Sequence, residues 1–122
     1  MAAALGPPSA MDDYLFDLRG YLVLPQALSP DHVRELNASI DDYVDLAPGE
    51  WRGWVQRAPP GRNTRELHNL FEAGDCWEEL IDHPAWWAHM QRYAGADALF
   101  LDECDPHAAD LLPLLLAARW PG

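Results

Sequence analysis

Arginine and tryptophan side chains are concentrated in one short segment of this chain, where together they could bind a flat anionic molecule. Four of its eight basic residues lie between residues 51 and 65, a stretch without any Asp or Glu. A guanidinium group binds carboxylate or phosphate through parallel N–H donors, and an indole ring stacks on flat or apolar groups. The segment therefore predicts a substrate-binding surface. Its candidate residues, with one histidine just beyond the segment, are Trp51, Arg52, Trp54, Arg57, Arg62, Arg65 and His68.

The same segment also fits a purely structural interpretation. In it the arginines pair with the acidic remainder of the chain, and the two indoles cover the edge of the domain. Exposed ion pairs of this kind are common and contribute only about 0–1 kcal/mol each. Both interpretations stay open from the sequence.

The histidines do not have the spacing of a non-haem iron site, which uses two His and one carboxylate. On a strand, a His-x-Asp or His-x-Glu pair places both ligands on one face, because the side-chain period is two. None of the five histidines has a carboxylate two residues later. The pair His107 and Asp110, close to Cys104 and Asp105, is typical of a solvated acidic tail. We therefore assign no metal ligands and no catalytic residues.

The other histidines are expected to be structural. His68 lies in an apolar run, which is typical of a core histidine and competes with its candidate binding role. His83 precedes Pro84 at a helix entrance and is expected to cap or pack. His89 is expected to face water. His32 lies near a helix N-terminus, which disfavours positive charge, so its ring is expected to be neutral.

Short elements are expected to position these residues. The pattern predicts a helix over residues 11–18 that ends at Gly20, and a buried strand over Tyr21–Leu24. A second helix starts after Ser29, since Ser29 can cap it and Pro30 suits its first turn. Pro48 and Gly49 are expected to close it.

The second half of the chain has weaker signals. Residues 47–64 are expected to form a long loop. Asp75 and Glu78 resemble a capping box. The remaining predicted elements are a strand at Leu67–Phe71, a helix from Asp75 to about Ile81, a helix after Pro84 that ends at Gly95, and a strand at Ala98–Leu101.

Composition limits the class of partner. The 122 residues carry a net charge of −12, without any Lys, which disfavours nucleic acid and anionic membranes. The apolar run Leu111–Ala118 is far shorter than the roughly 20 residues that cross a bilayer. The N-terminus lacks a secretion signal, so Cys76 and Cys104 are expected to be reduced thiols of a cytoplasmic protein.

Three stretches of sequence carry a resemblance to a known family. They are residues 16–46, Leu67–Glu72 followed by Trp77 to Pro84, and Leu99–Glu103. Over about residues 12–103 the chain resembles the N-terminal part of phytanoyl-CoA dioxygenase-like proteins. The resemblance implies hydroxylation with Fe(II), 2-oxoglutarate and O2, and a small-molecule substrate. It also implies an α+β fold in which helices pack on a few strands of a partial, truncated double-stranded β-helix, or jelly roll.

The family pattern stops after Glu103, before the strands on which relatives carry the iron triad and the residue that binds 2-oxoglutarate. We therefore divide the chain into a disordered N-terminus (1–10), the family-like part (11–103) and a divergent tail (104–122). The first hypothesis is an incomplete dioxygenase that is inactive and binds no cofactor alone, with another chain covering its exposed sheet edge. The alternative is a small acidic, non-enzymatic interaction module that uses the Trp/Arg loop 51–65.

Overall fold

The computed structural model describes residues 6–61 and 66–95, which form helices around a small antiparallel sheet. The predicted α+β class is confirmed. The sheet has the order β1-β2-β3, and both pairs of neighbours are antiparallel. The elements in chain order are α1 (Ala10–Arg19), α2 (Pro30–Asp41), β1 (Trp51–Arg52), β2 (Val55–Arg57), β3 (Leu67–His68), a 3-10 helix (Leu70–Ala73), α3 (Asp75–Glu78) and α4 (Trp87–Ala94).

The first helix, α1, is defined by its caps. Ser9 accepts the backbone N–H of Asp12, whose carboxylate in turn accepts the N–H of Ser9. Gly20 ends the helix with a left-handed φ of 76°, which glycine adopts without steric cost. The predicted helix and its glycine end are confirmed, but the start lies at Ser9 and Ala10, inside the segment predicted to be disordered.

Helix α2 begins where the sequence predicted and ends earlier. The Ser29 hydroxyl accepts the N–H of His32 at 3.1 Å, and Pro30 is the first helical residue. The last helical residue is Asp41, well before the predicted close at Pro48 and Gly49. Arginine side chains from the following hairpin donate to the carbonyls of Asp42, Val44 and Leu46, just beyond the end of the helix.

The hydrophobic core lies between α2, the sheet and the short helices that follow it. One face of α2 packs against buried side chains of β2, β3, the 3-10 helix and α3, which removes apolar surface from water. The buried members of this core are Leu36, Ile40, Val55, Leu67, Leu70 and Trp77.

The prediction of a buried strand at Tyr21–Leu24 is wrong. This segment runs without a turn or bend but belongs to no sheet, and its backbone makes no hydrogen bond within the described residues. Its side chains alternate between exposed (Tyr21, Val23) and half-buried (Leu22, Leu24). A continuous apolar run indicates a strand covered on both faces, and here only one face is covered.

The prediction of a loop over residues 47–64 is also wrong, because β1 and β2 form a hairpin there. Arg52 pairs with Val55, so Gly53 and Trp54 are its two loop residues. Gly53 has a φ of +62° and Trp54 does not have positive φ, the pattern of a type II′ turn. Residues 62–65 lie outside the described residues.

The observed structure also differs from the sequence prediction at the end of β3 and at the start of α3. Strand β3 stops at His68, because Asn69 adopts a left-handed φ of 63°, so the strand predicted to reach Phe71 becomes a 3-10 helix. Helix α3 has Gly74 as its N-cap without a side-chain cap, so the capping box predicted from Asp75 and Glu78 is wrong.

Helix α4 ends at Gly95 as predicted. The predicted strand Ala98–Leu101 and the Leu-rich stretch after it lie outside the described residues. Within residues 6–61 and 66–95, none of the helices has the length and apolar character to cross a membrane.

Candidate functional site

The hairpin and β3 form a sheet with two different faces. Gln56 is the partner of Trp51 on one side and of His68 on the other. Directly opposed residues of antiparallel strands point to the same face, so these three side chains lie in one row. Val55 and Leu67 are buried on the opposite face, against the core. The row of Trp51, Gln56 and His68 is called the outer face below.

The two tryptophans of the hairpin are exposed. Trp51 is 53% exposed and Trp54, at the turn, is 72% exposed. An indole that covered the domain edge, as in the structural interpretation, would be mostly shielded from water. The exposure of both rings instead leaves them available for contact with another molecule.

The two described arginines of the segment bind their own chain. Arg52 donates to both carboxylate oxygens of Asp45, at 2.9 and 3.4 Å, and to the carbonyl of Asp42. Arg57 donates to the carbonyls of Val44 and Leu46, at 3.2 and 2.8 Å. These three carbonyls lie one, three and five residues beyond Asp41, the last residue of α2.

This pairing shifts the pKa of each group further from neutrality, so both stay charged over a wider pH range. The hydrogen bonds from Arg52 hold the pKa of the Asp45 carboxyl below its ordinary value, and Asp45 raises the pKa of Arg52. Both side chains are solvent-exposed, so the pair orients Arg52 rather than anchoring the fold.

The remaining candidate residues are only partly accounted for. The Nε2 atom of His68 lies 3.6 Å from a carboxylate oxygen of Glu66, and both side chains are about four-fifths shielded. Arg62 and Arg65 lie outside the described residues. The structure therefore brings Trp51 and His68 onto the outer face, puts Trp54 at the turn, and directs Arg52 and Arg57 toward the residues after α2.

Two polar residues that the sequence did not indicate support the hairpin. The Gln56 side-chain amide donates to the carbonyl of Gly49 at 3.2 Å, and that of Asn69 donates to the carbonyl of Trp54 at 3.2 Å. The dipeptide Gly53-Trp54 is the signal that could have found this turn, since glycine at the first loop position favours type II′.

A second feature, an apolar cleft of about 350 Å³, lies between α1, the segment Leu22–Leu24 and α4. Its volume falls within the range of about 300–1,000 Å³ that is typical of ligand pockets. The sequence did not indicate it, because its walls are far apart in the chain. They are formed by Phe16, Leu22, Leu24, Trp86, His89, Met90, Tyr93 and Ala94.

Contacts between α1 and α4 hold one side of the cleft. The rings of Phe16 and Tyr93 stack with centroids 4.1 Å apart. Asp13 accepts hydrogen bonds from Nε of Arg92 at 2.7 Å and from the hydroxyl of Tyr93 at 3.0 Å. The hydrogen bonds from Arg92 are the main reason that the pKa of Asp13 is lowered.

His89, on the cleft wall, is buried, so the prediction that it faces water is wrong. It is 7% exposed, and its Nε2 atom has no hydrogen-bond partner among the described residues. The closest carboxylate oxygen is that of Asp12, 3.6 Å away, which is too long for a hydrogen bond.

The other two described histidines make structural contacts, and for His83 the predicted capping and packing role is confirmed. Nε2 of His32 lies 2.6 Å from the carbonyl oxygen of Cys76 and must carry the proton, because a carbonyl only accepts. Nδ1 of His83 accepts the N–H of Ala85 at 3.1 Å, and its ring stacks on Trp86 at 4.5 Å. Burial, followed by the nearby His32, lowers the pKa of His83.

Neither metal nor thiol chemistry is indicated by the described residues. Within residues 6–61 and 66–95, no three His, Cys, Asp or Glu side chains are placed to hold a metal ion. Burial raises the pKa of the Cys76 thiol, which disfavours the reactive thiolate.

No protein-family model, curated protein or solved structure matches this chain. The functional proposals below therefore rest on the residues, the hairpin, the cleft and the resemblance in sequence.

Proposed function

We propose that the chain is an incomplete phytanoyl-CoA dioxygenase-like protein that does not oxygenate a substrate alone. The observation that supports this is the order of sequence signals from α1 to α2. A helix closed by Gly20 is followed by an apolar segment, a proline, and a helix capped by Ser29. In this proposal the described helices and the three-stranded sheet flank a double-stranded β-helix whose further strands carry the chemistry.

The described residues do not fit the iron site of such an enzyme. His32, His83 and Glu79 lie near one another, and two His with one carboxylate would be the required set. However, these three side chains are not placed to hold one metal ion together, and neither is any other set of three His, Cys, Asp or Glu side chains within residues 6–61 and 66–95. We therefore place no Fe(II), no 2-oxoglutarate and no catalytic step on these residues.

An assay of the purified 122-residue chain tests the proposal. We expect no stoichiometric binding of Fe(II) by calorimetry and no succinate release from 2-oxoglutarate, because none of the five histidines has a carboxylate two residues later. An active 2-oxoglutarate oxygenase measured in parallel controls for loss of Fe(II) by oxidation. One equivalent of tightly bound iron with coupled succinate release would overturn the proposal.

The proposed membership of the dioxygenase-like family is tested separately, by the DNA sequence that follows the codon of Glu103. We expect one of its three reading frames to encode a His-x-Asp or His-x-Glu pair and a later His. If no frame encodes such a set, the kinship loses its support, whatever the iron assay gives.

We propose, as a second candidate, a non-enzymatic interaction module centred on the hairpin. It is favoured by the exposure of Trp51 and Trp54, since solvated indoles at a rigid turn are typical anchors of protein interfaces. Arg52 and Arg57 already bind their own chain, so the part of the hairpin surface that the structure describes offers a partner mainly aromatic groups.

The double variant Trp51→Ser, Trp54→Ser tests this candidate. We expect it to lose the part of the fluorescence of the flat anionic dye 1-anilinonaphthalene-8-sulfonate that comes from the hairpin, because both stacking surfaces are gone, while dye bound in the apolar cleft remains. Its free energy of unfolding should change by no more than about 0.5 kcal/mol per site, as is usual for exposed positions.

Tyr14 provides the matched control for aromatic exposure. It is 61% exposed on α1, away from the hairpin, and Tyr14→Ser should keep the dye signal. Equal dye fluorescence of the double variant and the parent chain would contradict the interaction module.

A further inference from the structure

The segment Tyr21–Leu24 has the properties of a strand without a neighbour. Tyr, Leu and Val occupy it, and tyrosine and valine favour extended backbone. Its backbone N–H and C=O groups make no hydrogen bond within the described residues. Such groups are obligatory hydrogen-bonding groups, so they bind water or a further polypeptide.

The apolar cleft lies directly beside this segment. Leu22 and Leu24 line it together with Phe16 of α1 and with Met90 and Tyr93 of α4. Alternate side chains of a strand point to the same face. A strand added beside Tyr21–Leu24 would therefore direct every second side chain toward the cleft, while its backbone reaches the unpaired peptide groups.

The charge of the chain indicates which strand would bind. The net charge is −12, so two copies repel each other, whereas a basic peptide is attracted. The cleft itself accepts apolar groups, because carbon atoms of leucine and aromatic side chains form most of its walls.

We propose that Tyr21–Leu24 is a strand-addition site for an extended segment of another protein that has apolar side chains at alternate positions and lysine or arginine at its ends. Backbone hydrogen bonds supply part of the affinity in this mode, and the pocket for alternate side chains supplies the specificity. The site is distinct from the hairpin and depends on neither function proposed above.

A designed peptide of alternating valine and threonine with a lysine at each end is a suitable probe. Labelled with fluorescein, it should bind the full chain with saturable anisotropy, and binding should weaken with added salt. The same peptide with N-methylated central amides should not bind, because it cannot form the ladder. Hydrogen exchange should slow at alternate amides of Tyr21–Leu24 when the unmethylated peptide is added.

Two single variants separate the cleft from the exposed face of the segment. Leu22→Ser removes part of the cleft wall and should weaken peptide binding about tenfold, as expected when one apolar anchor is lost. Val23 faces away from the cleft, so Val23→Ser should bind like the parent chain. Circular dichroism checks that both variants are folded.

Several results would overturn the proposal. They are an absence of saturable binding to the parent chain, equal binding of the N-methylated peptide, and equal effects of Leu22→Ser and Val23→Ser. Sedimentation that shows a dimer broken by Leu22→Ser would also overturn it, in favour of pairing between two copies. If Leu22→Ser does not fold, the N-methylated peptide and the exchange of the amides still decide the matter.

Discussion

Replacing Trp77 with alanine is expected to lower the free energy of unfolding by about 3–5 kcal/mol, the usual cost of removing a large buried aromatic side chain. Trp77 is 3% exposed in the core, and its indole N–H donates to the hydroxyl of Ser39 at 3.0 Å. The change therefore leaves a cavity between α2 and α3 and removes a hydrogen bond between them. Domains of this size are stable by only about 5–15 kcal/mol, so the loss is a large share.

Urea unfolding, followed by circular dichroism, measures this effect. The matched control is Trp54→Ala, because Trp54 is 72% exposed and its loss should change stability by no more than about 0.5 kcal/mol. If the two variants unfold at the same urea concentration, the placement of Trp77 in the core is wrong.

Replacing His32 with leucine is expected to destabilise the fold by about 1–3 kcal/mol, the cost of leaving a buried acceptor without a donor. The acceptor is the carbonyl of Cys76, 2.6 Å from Nε2 of His32, and the ring is 8% exposed. Leucine fills a similar space but cannot donate. This contact joins the first turn of α2 to α3, so its loss weakens the packing of the two helices against each other.

The same substitution at His89 is not expected to destabilise the fold. His89 is buried to a similar extent, yet its Nε2 has no hydrogen-bond partner among the described residues. His89→Leu should therefore leave stability unchanged or raise it by up to about 1 kcal/mol, since an unsatisfied polar group is removed. Denaturant unfolding of both variants at one pH makes the comparison. A greater loss for His89→Leu than for His32→Leu would contradict the assigned contacts.

Local signals explain which elements could be predicted from the sequence. Ser29 and Pro30 at the start of α2, and Gly20 at the end of α1, act through their own backbone and do not depend on distant residues. The hairpin was missed because its strands are only two and three residues long, too short to show a period of two. Tyr21–Leu24 was taken as buried because an apolar run does not reveal whether a neighbour covers it.

The candidate site likewise has features that the sequence reveals and features that depend on distant residues. The grouping of tryptophan and arginine in residues 51–65 is visible in the sequence, whereas the partners of Arg52 and Arg57 are set by where α2 ends. The cleft was invisible because it joins Phe16 and Leu22 to Met90, which are more than sixty positions apart. The burial of His89 belongs to the same long-range contact.

The attachment of α1 differs in kind from that of α2. None of its ten residues is buried, and it is held to α4 by the ring stack of Phe16 on Tyr93 and by the charged contacts of Asp13. Dissolved salt screens the charged contacts of Asp13, whereas it has little effect on the ring stack and on buried apolar contacts. Raising the ionic strength therefore weakens the attachment of α1 to α4. The rest of the molecule is destabilised mainly by temperature and denaturant.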